Sequence, residues 1–167
     1  MTGGAIAGSK TYLKTTTYID ERNWKFMGGL ANMNHARDAH GMISWKDRYL
    51  IVVGSWHVES STRTCEIYDI VKNKWYLLPP LNEGTCAPGL IIVENRYLYK
   101  LGGTTDIGKV EMLDLTKIKF DSDKRKSEKN QKNINGYESS LDLWRFNDYE
   151  DDVSSNLIKK FDKNIDI

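Results

Sequence analysis

The 167-residue sequence predicts an all-β fold made of repeated four-stranded antiparallel units. Three observations predict it. Residues 37–55 recur, without a gap, 48 residues later as residues 85–103. Short runs rich in Val, Ile, Leu and Tyr alternate with Gly, Asn, Asp and Pro clusters, as strands alternate with turns. Glycine and aromatic marks then recur in phase at three places along the chain.

The repeat comes first, because a missed repeat misassigns the whole fold. RDAHGMISWKDRYLIVVGS and TCAPGLIIVENRYLYKLGG share seven of 19 positions: Ala39/Ala87, Gly41/Gly89, Ile43/Ile91, Arg48/Arg96, Tyr49/Tyr97, Leu50/Leu98 and Gly54/Gly102. Downstream, Glu66-Ile67-Tyr68-Asp69 corresponds to Glu111-Met112-Leu113-Asp114. Trp75 follows Tyr68 by seven residues, and Phe120 follows Leu113 by seven. An upstream copy shows as Gly3-Gly4, Tyr18 and Trp24, which stand 50 or 51 residues before Gly54-Ser55, Tyr68 and Trp75.

The complete unit reads as strands near 38–44, 48–54, 65–70 and 74–79. Lys46-Asp47 and Glu94-Asn95 join the first two strands of their units as polar hairpin turns. Gly54, Gly102 and Gly103 end a strand where a sharp turn favours a residue free of the Cβ penalty at positive φ. Pro79-Pro80 closes the fourth strand, since proline donates nothing to a ladder. Four strands per unit at about 50 residues is the arithmetic of a β-propeller blade.

These marks resemble the kelch repeat, in which a double glycine after an apolar strand is followed by a Tyr and then a Trp. They stand here as Gly3-Gly4, Tyr18, Trp24; Gly54-Ser55, Tyr68, Trp75; and Gly102-Gly103, Leu113, Phe120. Ser55 replaces the second glycine, and Leu113 and Phe120 replace Tyr and Trp. The resemblance covers residues 1–120 and implies a partial kelch-type propeller of antiparallel blades. It divides into the back half of one blade (1–33), a full blade (34–80) and a degenerate blade (81–120). Tyr68 and Trp75 then read as blade-core residues, because a large aromatic buries about 150–250 Å².

Past residue 120 the repeat fades. Residues 121–136 carry five basic and three acidic side chains with Ile134 as the one aliphatic, and read as a flexible polar insertion. Residues 137–146 read as one more strand, with Leu141 and Leu143 on one face. Residues 148–167 form a polar tail with six acids and three bases. About two and a half blades are fewer than the four to eight that close a propeller. The chain therefore reads as a piece of a larger propeller, or as an arc completed by another chain.

Composition limits the function. The 24 Lys and Arg balance 23 Asp and Glu, so no basic excess points to nucleic acid or an anionic membrane. No apolar run approaches the roughly 20 residues of a membrane helix, and no signal peptide is legible at the N-terminus. Cys65 and Cys86 lack a CxxC partner and read as free thiols of a reducing compartment. The expected location is cytoplasmic.

No pattern calls for a cofactor or metal. Residues 103–109 approach a phosphate-binding loop, but Val110 stands where that motif needs Ser or Thr. His35 and His40 are five apart, off the helical spacing of a zinc pair. The resemblance implies a non-catalytic protein-binding module, a scaffold or adaptor such as those of ubiquitin ligases or actin-associated assemblies. The alternative is a galactose-oxidase-like or other small-ligand enzyme with its site in the central channel. Partners would dock on a rim of loops, here 55–64, 81–84 and 104–109, since loops on a rigid scaffold carry function. Trp56, His57, Glu59 and Arg63 in the first, and Asn82 and Glu83 in the second, are the candidate contact residues.

Overall fold

The computed structural model describes residues 1–57, 60–104, 108–118 and 144–146. Glu59 and Phe120 lie outside the described residues, as do the polar insertion and the tail. The fold is all-β, as the repeat predicts.

Two four-stranded antiparallel sheets form the body. The first orders β3 (Gly41–Trp45), β4 (Tyr49–Val53), β7 (Cys65–Asp69) and β8 (Lys74–Leu78). The second orders β9 (Gly89–Val93), β10 (Tyr97–Leu101), β11 (Val110–Asp114) and β12 (Trp144–Phe146). A hairpin of β1 (Tyr18–Asp20) and β2 (Lys25–Met27) precedes them. A smaller hairpin, β5 (Trp56–His57) with β6 (Ser60–Ser61), sits between β4 and β7. A single 3-10 turn at Leu115–Lys117 follows β11, capped by the Asp114 carboxylate.

The turns obey their residues. Lys46 and Asp47 take φ 53° and 49°, and Glu94 and Asn95 take 53° and 51°. Two successive positive φ values give the tight hairpin that matches strand twist. At Gly54 (φ 66°) a Cβ would collide with the Thr85 carbonyl oxygen. At Gly3 (φ 63°) it would stand 2.5 Å from the Arg37 oxygen. Each glycine thus lets one unit's backbone meet the linker that enters the next. Gly4 N donates to Arg37 O at 2.7 Å and Ser55 N to Thr85 O at 3.0 Å. Ser55 replaces glycine without loss, because its hydroxyl donates to Asp38 O and accepts from Asp38 N.

The main core lies between the two four-stranded sheets. Trp45, Ile51, Val53, Cys65, Ile67 and Leu78 from one meet Leu98, Leu113 and Trp144 from the other. On the opposite face of the first sheet, Val52, Tyr68 and Trp75 pack with Met33, Leu30 and Ala31 of the N-terminal segment. Tyr68 and Trp75 are paired across β7 and β8, ring centroids 5.0 Å apart.

Register corrects two assignments drawn from spacing. The residue opposite Leu113 is Trp144, so the second sheet's fourth strand lies after the insertion and the unit is not finished at residue 120. In the upstream unit Ile19 faces Phe26 across the hairpin, and these take the places of Tyr68 and Trp75; Tyr18 instead pairs with Met27. Trp24 sits in the turn at φ 56° and is 77% exposed. The physical reason is the period of a strand: a one-residue shift moves a side chain to the other face.

Candidate functional site

The strand directions bring residues 54–57, 60–64, 79–88, 102–104 and 108–109 to one end of the sheets, the end at which β4, β8 and β10 finish and β7, β9 and β11 begin. They form a joined rim rather than separate loops. Thr62 bridges to Thr85, and Asp38 bridges to Trp56. Trp56 N donates to Asp38 O at 2.8 Å, and Leu81 N donates to Arg63 O at 2.9 Å.

Trp56 is 37% exposed on β5, with its backbone held from below by Asp38. His57 pairs with Ser60 across the short hairpin. Arg63 is exposed, yet its Nε donates to Leu81 O at 2.5 Å. The hairpin is bound to the linkers on both sides, so this segment is a part of the frame as well as a candidate contact surface. Glu83 pairs with Lys109 at 2.6 Å and so ties the 81–84 linker to the loop after β10. Asn82 turns inward: its backbone N and its Nδ2 donate to Glu111 Oε2 at 2.8 and 2.9 Å, and Nδ2 also donates to Trp144 O.

The Asn82 arrangement repeats. In the preceding unit, Asn34 N and Nδ2 donate to Glu66 Oε2 at 2.7 and 2.8 Å. Glu66 Oε1 accepts from His35 N and from Arg37 Nη2 at 2.9 and 2.8 Å. Arg37 Nη1 donates to the carbonyls of Gly54 and Thr64. Arg37 and Glu66 are fully buried. Burial alone would raise the Glu66 pKa, but the Arg37 charge and the bonds from Asn34 and Arg37 hold it below its ordinary value. Each blade thus buries a third-strand glutamate that fastens the linker entering it. Sequence alignment pairs Glu66 with Glu111, and their recurrence in otherwise apolar strands is the signal that marks them.

Further groups near the inner strands are engaged with the frame. His40 Nε2 lies 2.8 Å from Thr2 Oγ1, and burial, then Arg37, lowers the His40 pKa. Cys86 Sγ lies 2.6 Å from Thr104 Oγ1. Burial pushes the Cys65 thiol up to about 12. Among the described residues, no three His, Cys, Asp or Glu side chains converge as metal ligands, and no helix is long and apolar enough to cross a membrane.

A protein-family model for the kelch motif matches residues 47–82, which run from the β3–β4 turn to Asn82. A search of curated proteins finds none that matches the chain.

Proposed function

From the kelch repeat that this chain carries, we infer that it works as a protein-binding module, and that its partner docks on the rim built from residues 55–64, 81–84 and 104–109. Kelch repeats commonly serve protein interaction. One observation carries the choice of surface: Trp56 is exposed on a hairpin whose backbone is bound to the linkers on either side. A large aromatic held rigidly in water supplies contact area at low entropic cost, and Trp is enriched among residues that dominate binding energy. The exposed Arg63 and the Glu83–Lys109 pair add charge of both signs to the same rim. Adaptor or scaffold work in the cytoplasm is the role this reading favours.

The test is Trp56→Ala in the full chain, with thermal melting and affinity capture of binding proteins read together. Unchanged melting with loss of captured proteins supports the rim. An unchanged set of captured proteins overturns it. Arg63 is a poorer probe, because its bond to Leu81 O makes it a part of the frame.

A further inference from the structure

The end of the sheets opposite the rim carries a cleft between the two four-stranded units. Trp45, Lys46, Arg48 and Tyr49 of the first unit line one side, and Leu115 and Ile118 of the second line the other. Its volume is about 560 Å³, within the range of about 300–1,000 Å³ that ligand sites occupy. The cleft is open to solvent rather than enclosed. That shape suits a chain segment lying across it more than a small molecule, which a pocket normally buries almost whole.

The first side is an alternating stack of cations and rings. The Lys46 ammonium lies 4.5 Å from the Trp45 ring centroid, the Trp45 and Tyr49 centroids are 5.4 Å apart, and the Arg48 guanidinium carbon lies 5.1 Å from the Tyr49 centroid. An aromatic face attracts a cation, so both charges are held in place over rings. Asp69 engages Arg48 Nε and Nη2, and Nη1 makes no bond among the described residues. Lys46 has no carboxylate partner among them, and no acidic side chain lines the cleft. The packing frame does not account for Lys46. In the next unit Glu94 makes the same tight turn at the same φ of 53°, and Val93 stands in the place of Trp45. Arg48, Tyr49 and Asp69 recur as Arg96, Tyr97 and Asp114, with the same ion pair and the same stacking. The frame repeats its arginine and tyrosine, whereas the Trp45–Lys46 pair is particular to this cleft.

We propose that this cleft is a second docking surface, and that its occupant is an extended acidic peptide segment of a partner protein. The occupant's carboxylates meet Lys46 and the free edge of Arg48, and an apolar side chain beside them lies between Trp45 and the Leu115–Ile118 side. Charge complementarity selects this occupant: the cleft holds two cations, no carboxylate, and an apolar floor of buried Trp45, Leu115 and Ile118. Two cations, one of them already paired with Asp69, are too few to track a phosphate backbone, which is bound through many lysines and arginines. The proposal goes beyond the rim reading and uses none of its residues.

The experiment is fluorescence anisotropy on the full chain with three labelled probes: a peptide of alternating Glu and Tyr, a peptide of alternating Lys and Tyr, and a thymidine oligonucleotide. The Glu–Tyr peptide is expected to bind, more weakly as salt is raised, and the other two to bind far less. The key variant is Lys46→Glu. The fold tolerates glutamate there, since Glu94 occupies the equivalent turn position, and circular dichroism melts check this; Lys46→Ala replaces it if they differ from the parent. Reversing the charge is expected to weaken the Glu–Tyr peptide about five- to tenfold, by losing one attraction and gaining one repulsion. Trp56→Ala, which alters the rim alone, is expected to leave this binding unchanged, so failure here and failure of the rim reading are told apart. Absence of Glu–Tyr peptide binding, equal binding of the Lys–Tyr peptide, or binding that Lys46→Glu leaves unchanged overturns the proposal. Preference for the oligonucleotide, lost in Lys46→Glu, also overturns it and assigns the cleft to nucleic acid.

Discussion

Trp144 stands opposite Leu113 in the register in which Trp75 stands opposite Tyr68, although a far longer stretch of chain separates the first pair. The likeness extends to the indole nitrogens. Trp75 Nε1 donates to Ala31 O at 3.0 Å and Trp144 Nε1 to Pro79 O at 2.9 Å, and Ala31 and Pro79 are themselves one repeat apart. The outer-strand tryptophan thus plugs the junction between successive units twice in one chain.

Trp144→Ala and Trp75→Ala should each lower stability by about 3–5 kcal/mol, the range for emptying a buried aromatic site. Trp24→Ala should change it by less than about 0.5 kcal/mol, as for other exposed turn positions. Urea denaturation of the three variants measures the contrast. A large loss at Trp24 would mean that the register assignment is wrong.

Glu66 governs the acid limb of stability. Its folded pKa lies below the ordinary 4.5, so its contribution is complete above that value and fades as pH falls through the lower folded value. Asp69 and Asp114 act in the same direction, each held low by hydrogen bonding from its arginine, Arg48 and Arg96. Those arginines are substantially exposed, so solvent discounts the pairs. Glu66→Gln should cost about 3–5 kcal/mol at neutral pH, because it leaves the Arg37 charge buried without its partner. The variant's stability should also fall less steeply below pH 4.5. Thermal melts from pH 3 to 7 give both readings.

Gly54→Ala should be far more costly than Gly102→Ala. Both positions hold positive φ, which alone costs an alanine about 1–2 kcal/mol. Only Gly54 also faces a backbone oxygen, that of Thr85, at a distance no Cβ tolerates. Paired melting curves test it; equal losses would show that the linker yields at no cost.

Cys65 should resist alkylation in the folded chain. Burial pushes its pKa up to about 12 and so keeps it a thiol at any ordinary pH, and the thiolate is the reactive form. Mass spectrometry after iodoacetamide at pH 8 should find Cys65 unmodified until denaturant is added. Rapid labelling of the native chain would mean that the sheet–sheet core opens readily.

The sequence alone determined the strand order of the complete unit, its turns and its packing aromatics. These are local or periodic properties: Lys46-Asp47 and Glu94-Asn95 mark tight turns, and the 48-residue recurrence sets equivalent strands in equivalent places. Tertiary structure decided the rest. Trp144 could not be joined to Leu113 by counting, because a fourth strand is chosen by what fills the junction beside Pro79, whatever the length of chain between. Trp24 looked like Trp75 because spacing tolerates one residue of error, whereas the pleat of a strand does not. Arg63 and Asn82 read as rim residues, but their partners, Leu81 O and Glu111, lie on elements that only folding brings near. Composition names the groups that can bond; which of them are left to face water is settled when the units stack.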